Sequence, residues 1–206
     1  MGDTELIRNY LSEVGRIAVD ISVEDIEKAI EILFDAWKRG RQIFICGNGG
    51  SASTATHLAC DLAKTTIVSD AKRFKVMALV DNTPLVSAWT NDSGFGSIFA
   101  EQLKPWLEED DVVVGISVHG GSGEGDAGPW SQNLGRAIAL AKERGARIIG
   151  FSGFGGGAIK EMADVCVVVP IDKEPLGTPL VESYHVVIHH LICSALKQRI
   201  VEDANE

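Results

Sequence analysis

Apolar side chains in the first forty residues recur every three or four positions. Leu6, Ile7, Tyr10, Leu11, Val14 and Ile17 form one series, and Ile26, Ala29, Ile30, Leu33 and Phe34 a second. That period puts each series on one face of a helix, so residues 4–39 predict two helices. Ser22 is the expected N-cap of the second helix, with Asp25 at the capping-box position, and Gly40 ends it. Both helices are too apolar to stand alone, and they are expected to pack on the following unit or on another subunit.

From residue 41 the pattern changes to short continuous apolar runs. Residues 42–46, 74–79, 111–117, 147–152 and 165–170 read as strands. Between them, residues 51–64, 83–88, 97–106, 133–144 and 158–162 read as helices, and residues 179–200 form a long final helix. Alternating helices and uninterrupted apolar strands indicate a parallel sheet covered on both faces. Right-handed crossovers then give an α/β, doubly wound, five-stranded sheet. Residues 1–206 read as one domain with a helical extension over 1–39. The acidic tail 202–206 is expected to fray.

Ligands of such sheets bind outside the carboxyl ends of the strands, and three of the five runs end in loops rich in Gly and Ser. The first loop is Gly47-Asn48-Gly49-Gly50-Ser51-Ala52-Ser53. Glycines let backbone approach a ligand closely, and free amides at a helix start attract an anion. The spacing is neither the GxGxxG of dinucleotide sites nor a P-loop, because no Gly-Lys-Ser/Thr follows. A plain turn with a capped helix is the other reading. The loop after the third strand is Ser117-Val118-His119-Gly120-Gly121-Ser122-Gly123, and Ser117 with Ser122 could face Ser51 across a phosphate.

His57 and Asp61 lie four apart, hence on one helical face, a spacing that suits metal ligation or an acid/base pair. The last helix carries Glu182, His185, His189 and His190. Glu182, His185 and His189 form one stripe, whereas His190 lies roughly 80° round from Glu182 at about 100° per residue. A partly buried surface helix is the alternative to a metal site there. Asn91 and Asp92 either make an Asx turn or hydrogen-bond sugar hydroxyls.

Composition narrows the partners. The formal net charge is -10 over 206 residues, which disfavours nucleic acid, since phosphate backbones require basic patches. One phosphate on a small ligand can still be held by amides and hydroxyls. No run is long enough to span a membrane and the N-terminus has no secretory pattern, so a cytoplasmic protein without a membrane partner is expected. Cys46, Cys60, Cys166 and Cys193 are far apart without CxxC spacing and read as buried free thiols.

Over roughly residues 25–200 the sequence resembles the SIS (sugar isomerase) domain, and within it the phosphoheptose isomerases. The segment CGNGGSASTATHLACDLAK, residues 46–64, carries most of the resemblance. Asn91-Asp92 with Gly94-Phe95, the Gly115-Ile116-Ser117 strand end and the 182–190 segment follow in the family's order. The resemblance implies a homotetramer with sites between subunits, often holding a divalent metal, usually zinc. It implies substrate contacts from Asn48, Gly49, Gly50, Ser51, Asp61, Asn91, Asp92, Ser117, Val118, His119, Ser122 and Glu182. The implied metal ligands are His57, Asp61, Glu182 and His190, which favours His190 over the stripe member His189. The implied reaction is aldose–ketose isomerisation of a phosphorylated sugar, such as sedoheptulose 7-phosphate, through an enediol. Asp61 would be the base and His190 the acid. The chain departs from the family at Asp61, where a Glu is expected, at Glu182, where a Gln is usual, and at Val118-His119 in place of Thr-Ser. The stretch 123–129 is also longer than the usual tight loop. A non-catalytic relative that binds a phosphosugar or a protein partner, such as a replication initiator, is the alternative the same resemblance allows.

Overall fold

The five apolar runs pair into one all-parallel sheet of order β2-β1-β3-β4-β5 in the computed structural model, which describes residues 2–69, 71–121, 131–172 and 174–205. The strands are β1 (Gln42–Gly47), β2 (Lys75–Ala78), β3 (Val112–Ile116), β4 (Arg147–Gly153) and β5 (Val165–Val169). Helices α1 (Asp3–Asp20) and α2 (Val23–Arg39) precede the sheet. Then come α3 (Gly50–Lys64), α4 (Thr83–Ser93), α5 (Ile98–Leu103), α6 (Gln132–Glu143), α7 (Gly157–Met162) and α8 (Gly177–Asp203).

The order reverses between β1 and β3, so their crossovers leave in opposite directions and open a crevice at the carboxyl edge. Continuous apolar runs are needed because alternate side chains of each strand enter different cores. Ile43, Ile45, Val112, Val114 and Ile116 pack with α2, α3 and α8. Phe44, Cys46 and Val113 pack on the other face with α5, α6 and Ile159 of α7.

Helix α2 forms as its signals predict. The Ser22 hydroxyl accepts the Asp25 amide at 3.1 Å, and Gly40 ends the helix in the left-handed region. Its apolar face, Ile26 to Trp37, is buried. In α1 only Ile17 is buried, leaving Leu6, Ile7, Leu11 and Val19 exposed. Helix α1 is held by the Tyr184 hydroxyl, which donates to the Val14 carbonyl, and by Arg16, which donates to the Pro170 carbonyl at 2.9 Å.

Three local expectations are corrected. Residues 83–88 continue as helix to Ser93, so Asn91 and Asp92 sit in the last turn of α4 and not in an Asx turn; the Gly94 amide closes that turn on the Thr90 carbonyl. Glu202 and Asp203, expected in a frayed tail, are helical, and Asp203 pairs with Lys38 of α2 at 2.5 Å. The cysteines are free, but Cys60 is exposed and Cys166 half-buried, since Cys60 lies on the outer face of α3. Among the described residues no helix is long and apolar enough to cross a membrane.

Candidate active site

The crevice between β1 and β3 is lined by Asn48, Ser51, Ser117, Val118, His119 and Glu182, among others. The β1 loop turns into α3 with Gly49 at φ +58, which lets the Ser51 amide reach the Asn48 carbonyl at 3.0 Å. Asn48 is locked by two side-chain hydrogen bonds to the fully buried Asn133 of α6, at 3.0 and 2.8 Å. Asn133 has no sequence signature of its own; only the fold opposes it to Asn48. Across the crevice the Ser117 hydroxyl accepts the Gly121 amide at 3.1 Å, which holds the β3 loop. His119 is exposed, and its ring tilts over Phe154 with centroids 4.4 Å apart. Ser122 lies outside the described residues. No Lys or Arg lines the described crevice, so an anion there would be met by amides and hydroxyls.

Helices α3 and α8 run side by side in the same direction. At their starts the Glu182 carboxylate lies against Gly50, so close that a Cβ at Gly50 would stand 2.3 Å from Oε1. A carboxylate is favourable at the start of α3. Glu182 also lines a second recess between the two helices, with Ser53, Thr54 and His57. It therefore stands between the crevice and the histidines further along α8.

Two turns onward three imidazoles gather round Asp61. The Asp61 Oδ2 lies 3.6 Å from His57 Nε2 and 3.3 Å from the Nε2 atoms of His189 and His190. His190 Nε2 is 3.3 Å from His57 Nε2. One donor atom from each of the four residues lies within 4.8 Å of the others, a group able to hold a metal ion. Asp61 is buried, His189 fully so, while His57 and His190 face outward. Burial pushes the His189 imidazole down to about 4, helped by His190 and His57 and opposed by Asp61.

Three of the four expected ligands thus meet, with His189 added. Glu182 stands about 12 Å back along α8, at 1.5 Å per residue. The expected stripe breaks at His185. Its Nε2 donates to the Ser152 carbonyl at 3.2 Å beside Phe151, and burial, opposed by that bond, lowers it to about 4. Asn91 and Asp92 do not line the crevice among the described residues; Asn91 donates to Asp92 at 2.8 Å on the exposed side of α4.

Residues 9–153 match the SIS domain family model. The chain is 47% identical over 190 residues to the lincomycin biosynthesis protein LmbN of Streptomyces lincolnensis, covering 92% of this chain and 68% of the relative. It is 36% identical to a phosphoheptose isomerase of Geotalea daltonii, covering 85% and 84% of the two chains. The solved phosphoheptose isomerase GmhA from Neisseria gonorrhoeae superposes with a TM-score of 0.81 at 28% identity, covering 95% of this chain and 98% of that one. The chain belongs to the SIS domain family. Within that family it is a sugar-phosphate isomerase.

Proposed function

We propose that the chain interconverts a ketose phosphate and an aldose phosphate through an enediol, with sedoheptulose 7-phosphate as the reference substrate. The observation that carries this reading is the meeting of a buried carboxylate, Asp61, with His57 and His190 at the end of a recess that Glu182 links to the crevice. The Asn48–Ser51 turn lines the sugar, and Ser117 with His119 binds the phosphorylated end. Asp61 turns Oδ2 to the imidazoles, which leaves Oδ1 to take the proton beside the carbonyl. The outward-facing His190, whose Nε2 faces Asp61, returns a proton to the carbonyl oxygen through its other ring nitrogen. Burial of Asp61 keeps bulk water from competing for the proton.

The donor set, imidazoles with one carboxylate, fits zinc. His57, Asp61 and His190 would hold it, and a bound divalent ion would polarise the substrate's carbonyl and adjacent hydroxyl oxygens. The identity to a protein of lincomycin biosynthesis supports a biosynthetic role for the isomerisation. Asn91 and Asp92, remote from the crevice within one chain, belong to the site only where another subunit's crevice meets α4. Exposed Val187 and Leu191 flank the imidazoles on α8, and with the apolar face of α1 they support a homotetramer whose subunits cover this edge. A cytoplasmic setting fits a phosphorylated substrate.

Turnover of sedoheptulose 7-phosphate and its five- and six-carbon analogues, with products identified by NMR, tests the reading. Asp61→Asn and His190→Asn should each lower kcat by about 10²–10⁴-fold, as loss of a general acid or base does, with unchanged circular dichroism. Wild-type rates in both variants would remove the proposed chemistry.

A further inference from the structure

We propose that Asn133 is a positioning residue of the isomerase site. Buried beyond the reach of any substrate, it fixes which end of the Asn48 carboxamide donates to the sugar and which end accepts from it. The inference rests on the reading of the crevice as the sugar site and deepens it.

The first support is the burial of Asn133 and where its bonds go. It is fully buried, while Ser131 before it and Leu134 after it line the crevice together with Asn48. A buried carboxamide must be hydrogen-bonded, whereas a leucine of the same shape carries no such requirement. Every bond that Asn133 makes leads to Asn48 or to its own helix. Its Oδ1 accepts the Leu134 amide at 2.9 Å, one of the first-turn donors of α6 that lack a partner within the helix. The same oxygen accepts from Asn48 Nδ2 at 3.0 Å, and Asn133 Nδ2 donates to Asn48 Oδ1 at 2.8 Å.

The second support is a chain of forced polarity. A backbone N–H can only donate, so the Asn133 atom facing the Leu134 amide is the oxygen. That turns the Asn133 nitrogen toward Asn48, and the atom it meets there is the Asn48 oxygen. The orientation of both carboxamides therefore follows from one main-chain amide at the start of α6. A carboxamide has two N–H groups and two oxygen lone pairs. Asn48 uses one of each on Asn133 and keeps one of each for the crevice that it lines. A turned amide would exchange its donor and acceptor ends and meet a sugar hydroxyl with the wrong partner.

The third support is the setting of Asn48. It stands between Gly47 and the pair Gly49-Gly50, neighbours with no side chains to pack against it. Its rotamer is therefore set across the fold, by a residue 85 positions away on α6. That bond pair also joins the turn that opens α3 to the start of α6, so the donor offered to the sugar is held by a rigid element and not by the glycine-rich turn itself.

The test is steady-state turnover of sedoheptulose 7-phosphate by the wild-type protein, Asn133→Asp, Asn48→Ala and the double variant. An Asp at this position still accepts from the Leu134 amide and from Asn48 Nδ2, but offers the Asn48 oxygen no donor, so the Asn48 amide is free to turn. The expected result is a kcat/KM lower by about 10–100-fold in Asn133→Asp, the scale of a 1 Å misplacement. Adding Asn133→Asp to Asn48→Ala should bring no further loss. Losses that multiply in the double variant mark a role independent of Asn48 and would overturn the inference, as would a wild-type kcat/KM in Asn133→Asp. Side-chain amide NMR gives a readout without turnover. The Asn48 Nδ2 protons, identified by their absence from Asn48→Ala, should exchange slowly with water in the wild-type protein and rapidly in Asn133→Asp; equal exchange refutes the orienting role. If Asn133→Asp fails to fold, Asn133→Ser, too short to reach Asn48 and uncharged, takes its place in both measurements. Protected Asn48 protons without turnover of any sugar phosphate sink the isomerase reading and leave the orientation of Asn48 standing. Turnover with multiplying losses does the reverse.

Discussion

Replacing Gly120 by Ala should damage the protein far more than the same change one residue later. Gly120 lies in the β3 loop at φ +74, with its carbonyl accepting the Ile159 amide at 2.9 Å. A Cβ there would stand 1.8 Å from the Gly156 carbonyl oxygen and 2.8 Å from the Gly157 Cα, both backbone atoms that cannot rotate away. Two costs add. A left-handed non-glycine residue costs about 1–2 kcal/mol, and forcing two packed segments apart costs about 1–3 kcal/mol more. Gly121, at φ +83, meets nothing nearer than the Ser131 Cβ at 3.8 Å, so Gly121→Ala should show the first cost alone. Urea unfolding of both variants measures the difference, expected to be about 1–3 kcal/mol of a total stability near 5–15. The separation also moves Ser117 and His119, so the KM for sugar phosphate should rise in Gly120→Ala in native buffer. Equal unfolding midpoints for the two variants would refute the reasoning, because only the close approach of two backbones distinguishes them.

Stability should also fall with acid through His185. Its folded-state value of about 4 lies below the ordinary 6.5, so the unfolded chain takes up the proton first. The contribution is complete above pH 6.5 and is lost as pH drops toward 4, by roughly 3 kcal/mol. The groups acting on it are its apolar surroundings and the Ser152 carbonyl. Urea midpoints measured with chelator from about pH 7.5 to 4.5 should slope less in His185→Gln, and parallel slopes would remove this explanation. If the proposed homotetramer forms through α1, charge on its outer face, as in Ile7→Glu with Leu11→Glu, should lower the sedimentation coefficient; an unchanged assembly would assign the contact to another surface.

The sheet was legible in the sequence because burial on both faces forces uninterrupted runs such as Val112 to Ile116, and few other structures need them. The end of α4 was not. Asn91 and Asp92 have the propensities of a turn, and one tertiary setting, with the Gly94 amide closing on Thr90, carries the helix past them. Within the site, Asn48, Ser51 and Ser117 were readable because a glycine-rich turn at a strand end has few other uses. The choice among Glu182, His189 and His190 was not readable. Adjacent helical residues differ by about 100°, and whether one or both reach Asp61 depends on the angle at which α8 lies against α3. Asn133 shows the same limit, since its partner is 85 residues away.

On the proposed isomerase reading, charge gives the substrate its direction along the groove. The chain carries a net charge of -10 and sets no Lys or Arg in the described crevice. A phosphate there depends on short-range donors and is excluded from any place near a carboxylate. Glu182 already occupies the start of α3, the position where the dipole would otherwise draw the phosphate in. The opposite wall, from Ser117 to Gly121, is the one that remains for the anion. With the phosphate there, the uncharged polyol passes Glu182, which accepts from its hydroxyls, and the carbonyl end is the part that reaches Asp61 and His190. The reverse orientation would press a dianion against Glu182 and Asp61 together. On the proposed reading, the Glu182 carboxylate fixes which end of the sugar meets Asp61 and His190.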